Sequence, residues 1–203
     1  QIKIPNTYMD ASVTGIGNGA FKSKKSITNV IISNSVTIIG EEAFMSCTAL
    51  INVTLGNGVT SIGYRAFRSD AKIAELIIPD SVTTIANDAF NSCSALANVI
   101  FGNGLISLGD NAFASTDLVT VTLPDSVTSI GVNAFYLCAK LTTVNLGSGL
   151  TTLANAFGSC SALAAINVNE SNENYFSYDE ILYDKLANTL LLCPVAKSGA
   201  VTV

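Results

Sequence analysis

One pattern recurs along the chain and limits every other reading. "SVTGIGNGAF" begins at residue 12, "SVTIIGEEAF" at 35, "GVTSIGYRAF" at 58, "SVTTIANDAF" at 81, "GLISLGDNAF" at 104, "SVTSIGVNAF" at 126 and a shortened "GLTTLANAF" at 149. The closing phenylalanines are Phe21, Phe44, Phe67, Phe90, Phe113, Phe135 and Phe157, in steps of 23, 23, 23, 23, 22 and 22 residues. A period of this length means stacked coils, each burying its apolar face on its neighbours, because one such unit cannot build a core alone. Both short steps are single-residue losses. Leu118 follows its phenylalanine by five residues where the equivalent leucines follow by six, and the second loss lies within "TTLANAF".

Between one phenylalanine and the next copy lies a second constant element: "ITNVII" from Ile27, "LINVTL" from Leu50, "IAELII" from Ile73, "LANVIF" from Leu96, "LVTVTL" from Leu118, "LTTVNL" from Leu141 and "LAAINV" from Leu163. Its alternation predicts a short strand with one face buried. "GNG", "PDS", "GNG", "PDS" and "GSG" then supply the Gly, Pro, Asn and Asp of a tight corner. The β-branched "VTxIG" predicts a second short strand, and "xxAFxx" a turn that returns the chain. Each coil therefore reads strand, corner, strand, return.

Composition removes whole classes of function. Histidine is absent, and with it the commonest general base and metal ligand. Ten Lys+Arg against fifteen Asp+Glu give a net charge of -5, so no positive field draws a nucleic acid or an anionic membrane. No apolar run reaches the roughly 18 to 20 residues that cross a bilayer, and "QIKIPNTYMD" does not resemble a signal peptide. Charged residues are only 12% of the chain, so Ser, Thr, Asn and Gly must form most of its surface.

The unit "L-x-x-V-x-L-P-D-S-V-T-x-I-G-x-x-A-F-x-x-C", fullest across Leu118 to Cys138, resembles the BspA-like leucine-rich repeats of bacterial and protist surface proteins. The resemblance covers about residues 2 to 168. The fold expected is a leucine-rich-repeat-like, β-rich, right-handed repeat solenoid, with a parallel β-sheet on one face and short strands and turns on the other. Its hand is taken from chain chirality and from the family. "NYFSYDEILYDKLANTLLLCP", residues 174 to 194, is similar to an element that interrupts such arrays, with Glu180 where that element usually has glycine. On its own it reads as two strands, Ile181 to Tyr183 and Thr189 to Cys193, around a polar turn. The expected organisation is a solenoid over 1–168, a β-hairpin insertion or cap-like segment over 169–198, and the start of a further repeat over 199–203. "IKIP" and "VTV" sit in the same phase at the two ends, as in a piece of a longer array.

Four of the five cysteines, Cys47, Cys93, Cys138 and Cys160, lie three residues after the repeat phenylalanine, a phase shared by Asp70 and Thr116. They read first as a ladder of small buried thiols. Rungs are about 4.8 Å apart, so Cys138 and Cys160 alone are neighbours close enough for a disulfide. No C-x-x-C spacing suggests a metal or redox site. The acidic "NESNENYFSYDE" matches no calcium-loop spacing, and N-glycosylation sequons stand at Asn52 and Asn169.

The outward positions of the first strand are the candidate protein-binding face. They are Asn29, Ile31, Asn52, Thr54, Glu75, Ile77, Asn98, Ile100, Thr120, Thr122, Thr143 and Asn145. Contiguous aliphatic residues facing water mark a partner surface, although β-branched residues also suit strands for their own sake. The resemblance implies a secreted or cell-surface, non-enzymatic module that binds host or bacterial proteins in adhesion, with no cofactor. A structural spacer is the alternative. A targeting module for an enzyme domain outside this chain is the third reading. A glycan partner is less well supported, and the oligomeric state stays open.

Overall fold

The computed structural model describes residues 1–198. The segment 199–203, read above as the start of another repeat, lies outside the described residues. The first coils contain β1 (Ile2–Ile4), β2 (Thr7–Tyr8), β3 (Ala11–Ser12), β4 (Gly15–Ile16), β5 (Asn29–Ile32), β6 (Ile38–Ile39), β7 (Asn52–Thr54) and β8 (Ser61–Ile62). The middle coils contain β9 (Glu75–Ile77), β10 (Thr84–Ile85), β11 (Asn98–Ile100), β12 (Ser107–Leu108), β13 (Thr120–Thr122) and β14 (Ser129–Ile130). The last contain β15 (Thr143–Leu146), β16 (Thr152–Leu153), β17 (Ala165–Val168), β18 (Tyr175–Tyr178), β19 (Ile181–Asp184) and β20 (Thr189–Leu192), and no helix occurs among the described residues.

The repeat pattern is realised as a parallel β-solenoid. The second strands of the coils, two residues each, form one unbroken sheet in the order β4-β6-β8-β10-β12-β14-β16. The "VT" of the motif explains its continuity. Thr60 donates its backbone N–H (2.8 Å) and its hydroxyl (3.0 Å) to the carbonyl of Thr37 one coil below, and Thr37, Thr83, Thr128 and Thr151 do the same on their own rungs.

Between the sheets runs the phenylalanine ladder. Phe21, Phe44, Phe67, Phe90, Phe113, Phe135 and Phe157 stack with successive centroids 5.0 to 5.8 Å apart and planes within 11° of parallel. The return turn carries two residues with positive φ in the first six coils, such as Arg65 (55°) and Ser69 (64°), and one, Ser159 (58°), in the shortened seventh. Through these reversals Arg65, Phe67 and Ser69 donate to Asn87, Ala89 and Asn91 in the coil above. The turn therefore carries a ladder of its own, in the opposite sense to the sheets.

The first strands of the coils behave differently. Their sheet is divided into β1-β5-β7, β9-β11 and β13-β15-β17, and no ladder joins β7 to β9 or β11 to β13. Both seams are entered by a coil whose corner reads Pro-Asp-Ser. Glycine corners nest on the corner below: a Cβ at Gly102 would lie 2.5 Å from the Pro79 carbonyl carbon, and one at Gly104 only 1.9 Å from Asp80 O. Their next residue also donates downward, as Asn57 does to Asn34 Oδ1 (2.9 Å) and Asn103 to Asp80 Oδ1 (2.7 Å). Pro79 and Pro124 carry a ring where Gly56 and Gly102 have no side chain, so they cannot nest in this way. Among the described residues no such bond leads down from Asp80 or Asp125. In the inward-facing row Val30, Leu76, Val99, Val121, Val144 and Ile166 are buried, and Val53, beside the first seam, is half-buried.

Residues 169–198 fold over the last coil. The two strands expected here are present as β19 and β20, and β18 pairs with β19 to make a three-stranded antiparallel sheet. Sequence reading missed β18 because "YFSY" sits inside a polar run. Asp179 (φ 50°) and Glu180 (φ 61°) form its two-residue turn, the pair of left-handed positions that right-twisted hairpins favour. Lys197 bonds both carboxylates and holds that turn. Buried Asn172 donates to Gly147 O (3.0 Å) and Leu150 O (3.1 Å) and accepts from Asn174 and Tyr175. The Tyr175 hydroxyl accepts from Leu153 N (3.1 Å) and donates to Thr151 O (3.3 Å), so it covers the free edge of β16.

Candidate protein-binding face

The twelve residues singled out from sequence lie on the outer surface of the segmented sheet. Asn52, Thr54, Glu75, Ile77, Asn98, Ile100, Thr120 and Thr122 are exposed, and Asn29, Ile31, Thr143 and Asn145 are half-buried. They are brought into register within each segment: Asn29 with Asn52 and Ile31 with Thr54, Glu75 with Asn98 and Ile77 with Ile100, Thr120 with Thr143 and Thr122 with Asn145. Across the seams they are not paired. The structure therefore presents three short patches along one line rather than one uniform strip.

The patches differ in chemistry. In the first, Asn52 Nδ2 donates to Asn29 Oδ1 at 2.6 Å, and in the third, Asn145 donates to Thr122 and Asn167 to Asn145, both at 2.9 Å. Much of the hydrogen-bonding capacity there is spent within the face. The middle patch instead offers Ile77 and Ile100, 65% and 55% exposed, beside Glu75, the one charged member of the set. A cleft of roughly 390 Å³ opens at the first seam, lined by Asn52, Thr54, Asn57, Glu75, Ile77 and Pro79. Asn57 and Pro79 were not in the sequence-derived set. The signal that could have found them is the alternation of "GNG" with "PDS" corners, which marks where neighbouring coils cannot nest.

The cysteine column is buried and its members are free thiols. Cys47, Cys93, Cys138 and Cys160 donate S–H to the carbonyls of Phe21 (3.0 Å), Phe67 (3.1 Å), Phe113 (3.3 Å) and Phe135 (3.1 Å). The disulfide considered between Cys138 and Cys160 is not formed, because each sulfur is directed at the carbonyl below rather than at its neighbour. Burial pushes Cys47 up to about 11 and Cys160 up to about 12, and raises Cys93 and Cys138. The column thus offers no thiolate nucleophile near neutral pH. Among the described residues no group of three or more Cys, Asp or Glu side chains could hold a metal ion. No helix among them is long and apolar enough to cross a membrane.

Stacked coils, a phenylalanine ladder, parallel sheets on two faces and a nearly uncharged outer strand surface define a leucine-rich-repeat-like solenoid scaffold. The model of the BspA type leucine rich repeat region matches residues 14–140 and 60–182, in six copies, and the chain belongs to that family. No curated protein matches it. Among solved structures, a leucine rich cell surface protein from Faecalibacterium prausnitzii A2-165 is 27% identical with a TM-score of 0.61 over 95% of this chain and 54% of that one. The pneumococcal vaccine antigen PcpA is 25% identical with a TM-score of 0.70 over 97% of this chain and 47% of that one. A T. pallidum leucine rich repeat protein is 27% identical with a TM-score of 0.54 over 80% and 77%. The chain spans about half the length of the first two.

Proposed function

We propose that this chain is a non-enzymatic protein-binding module of a bacterial surface protein, and that it engages its partner through the segmented sheet face. The observation that carries this reading is the middle patch. Two isoleucines stand side by side, exposed on one sheet segment, next to a cleft and between two segments whose asparagines bond within the face. Exposed aliphatic pairs framed by neutral polar groups suit a protein surface, with apolar contact at the centre and hydrogen bonds at the rim. Adhesion to host or bacterial proteins is the role we assign, in keeping with the similarity to a leucine rich cell surface protein from Faecalibacterium prausnitzii. Residues 1–168 act as the recognition solenoid and 169–198 as a β-hairpin insertion or cap-like segment upon it.

The test is an Ile77→Asp/Ile100→Asp double variant, assayed against an array of host and bacterial extracellular proteins. Binding by the wild type that falls at least tenfold in the double variant, with an unchanged circular dichroism spectrum, is the expected outcome. Equal binding by both overturns the assignment of this face. The unbroken second sheet favours a further role as a stiff spacer. A spacer alone predicts no effect of the double variant and a loss of function when whole coils are deleted from the parent protein.

A further inference from the structure

The column of side chains three residues after each phenylalanine holds a group at odds with its neighbours. Asp70 is completely buried, and neither carboxyl oxygen has a hydrogen-bond partner. The cysteines of the column all donate to a phenylalanine carbonyl one coil below, with a sequence separation of 25 or 26 residues. At Asp70 the equivalent acceptor is the carbonyl of Phe44. That oxygen already accepts the Cys47 N–H (3.1 Å), as Phe21 O accepts Lys24 N–H (3.1 Å), and the second donor supplied to Phe21 by Cys47 is missing at Phe44. Thr116 breaks the pattern by another route, because its hydroxyl turns to Phe113 in its own coil (2.9 Å).

These two positions coincide with the two seams. Asp70 leads into β9 and Thr116 into β13, the strands that are unpaired with the coil below, whereas Cys47, Cys93, Cys138 and Cys160 lead into β7, β11, β15 and β17, which are paired. From Cys47 to Cys160, a coil whose column residue donates downward keeps its ladder and a coil whose column residue does not loses it; Lys24, the exposed residue of this phase in the first coil, stands outside the rule, since β5 is paired with β1.

We propose that Asp70 is a proton-binding site controlling the first seam: as the neutral acid it donates to the Phe44 carbonyl and draws β9 onto β7, and as the carboxylate it repels that carbonyl and leaves the seam open. The proton exchanges with solvent, and no other reactant is needed. Burial pushes Asp70 up to about 8 from its ordinary 3.8, against a smaller downward pull from the Cys47 backbone. The titratable groups facing it are Cys47 below and Cys93 above, both raised and neutral across this range. In its own coil Lys72 is exposed and Arg68 half-buried, Lys24 two rungs below is exposed, and none of them partners it. Because the folded-state value is raised, the stabilisation is complete below the unfolded value near 3.8 and is lost as pH rises through about 8. The second seam has no titrating group in the column, so it is a control within the same molecule.

Amide hydrogen exchange, corrected for intrinsic rates, tests this at pH 6 and pH 9 on wild type, Asp70→Asn and Asp70→Cys. In wild type, protection of Glu75–Ile77 should fall at least tenfold on going to pH 9, while that of Thr120–Thr122 holds. Asp70→Cys, which restores the residue of four other rungs, should keep Glu75–Ile77 protected at both values and remains informative if the amide of Asp70→Asn does not fit. Infrared difference spectra at pH 6 should show a protonated-carboxyl band that both variants lack. Parallel changes at the two seams, identical profiles for wild type and Asp70→Cys, or absence of that band would overturn the proposal.

Discussion

Each coil contributes one strand to an unbroken seven-stranded sheet and another to a sheet divided into three. The two sheets share the same stacking and the same core, so the difference lies in what fixes each strand to the coil below. In the continuous sheet the bonding groups belong to the repeated motif: at five of six junctions a threonine N–H and its hydroxyl, both directed at one carbonyl, and at Ile106 the N–H alone. In the divided sheet each junction depends on the corner that follows and the column residue that precedes it, and both vary. Constant positions thus make the spine. Variable ones decide where its other face parts, and that face carries the exposed isoleucines.

The comparison can be broken from the shared side. Phe90 is wholly buried and stacks on Phe67 at 5.2 Å and on Phe113 at 5.1 Å. Phe90→Ala should cost about 3 to 5 kcal/mol, measured by denaturant unfolding, and should lower protection in both sheets together. Loss confined to one sheet would mean that the ladder does not couple them.

A joined junction can also be turned into a seam. Gly104 lies where a Cβ would stand 1.9 Å from Asp80 O. Gly104→Ala forces the two corners apart and should cost about 1 to 3 kcal/mol, in the range of overpacking. Exchange of Asn98–Ile100 should rise while Ser107–Leu108 stays protected. Unchanged exchange at β11 would show that nesting of the corners does not hold the broad sheet together.

Much of this molecule was legible in its sequence, for a physical reason. A 23-residue period repeats every inward contact, so the phenylalanine ladder, the alternating strands and the outward columns follow from spacing alone. Even the column of Cys47, Asp70, Cys93 and Thr116 is visible as a shared phase. Its meaning is not, because the loss of a downward hydrogen bond depends on where each side chain turns. Thr116 and Cys138 both suit a donor position, yet one bonds its own coil and the other the coil below. The third strand of the cap is hidden for a similar reason. Tyr175–Tyr178 has no apolar run of its own and becomes a strand through pairing with β19.

The smallest expected effect separates the two causes of a seam. At the first, a proline corner and a non-donating column residue occur together, as they do again at Pro124 and Thr116. Pro79→Gly supplies an N–H and removes the ring, while the added freedom of the unfolded chain costs roughly 0.4 to 1 kcal/mol. Global stability should therefore move by less than about 1 kcal/mol in either direction, and the informative quantity is local. If the corner dominates, Pro79→Gly raises protection of Glu75–Ile77 at pH 9 even with Asp70 ionised, and Pro124→Gly does the same for Thr120–Thr122. If the column dominates, neither glycine closes its seam, and closure follows only from Asp70→Cys or from acid. An additive response to Pro79→Gly and Asp70→Cys would assign independent contributions to corner and column. A response larger than the sum would mean that the strand can pair only when both ends of its coil are drawn down.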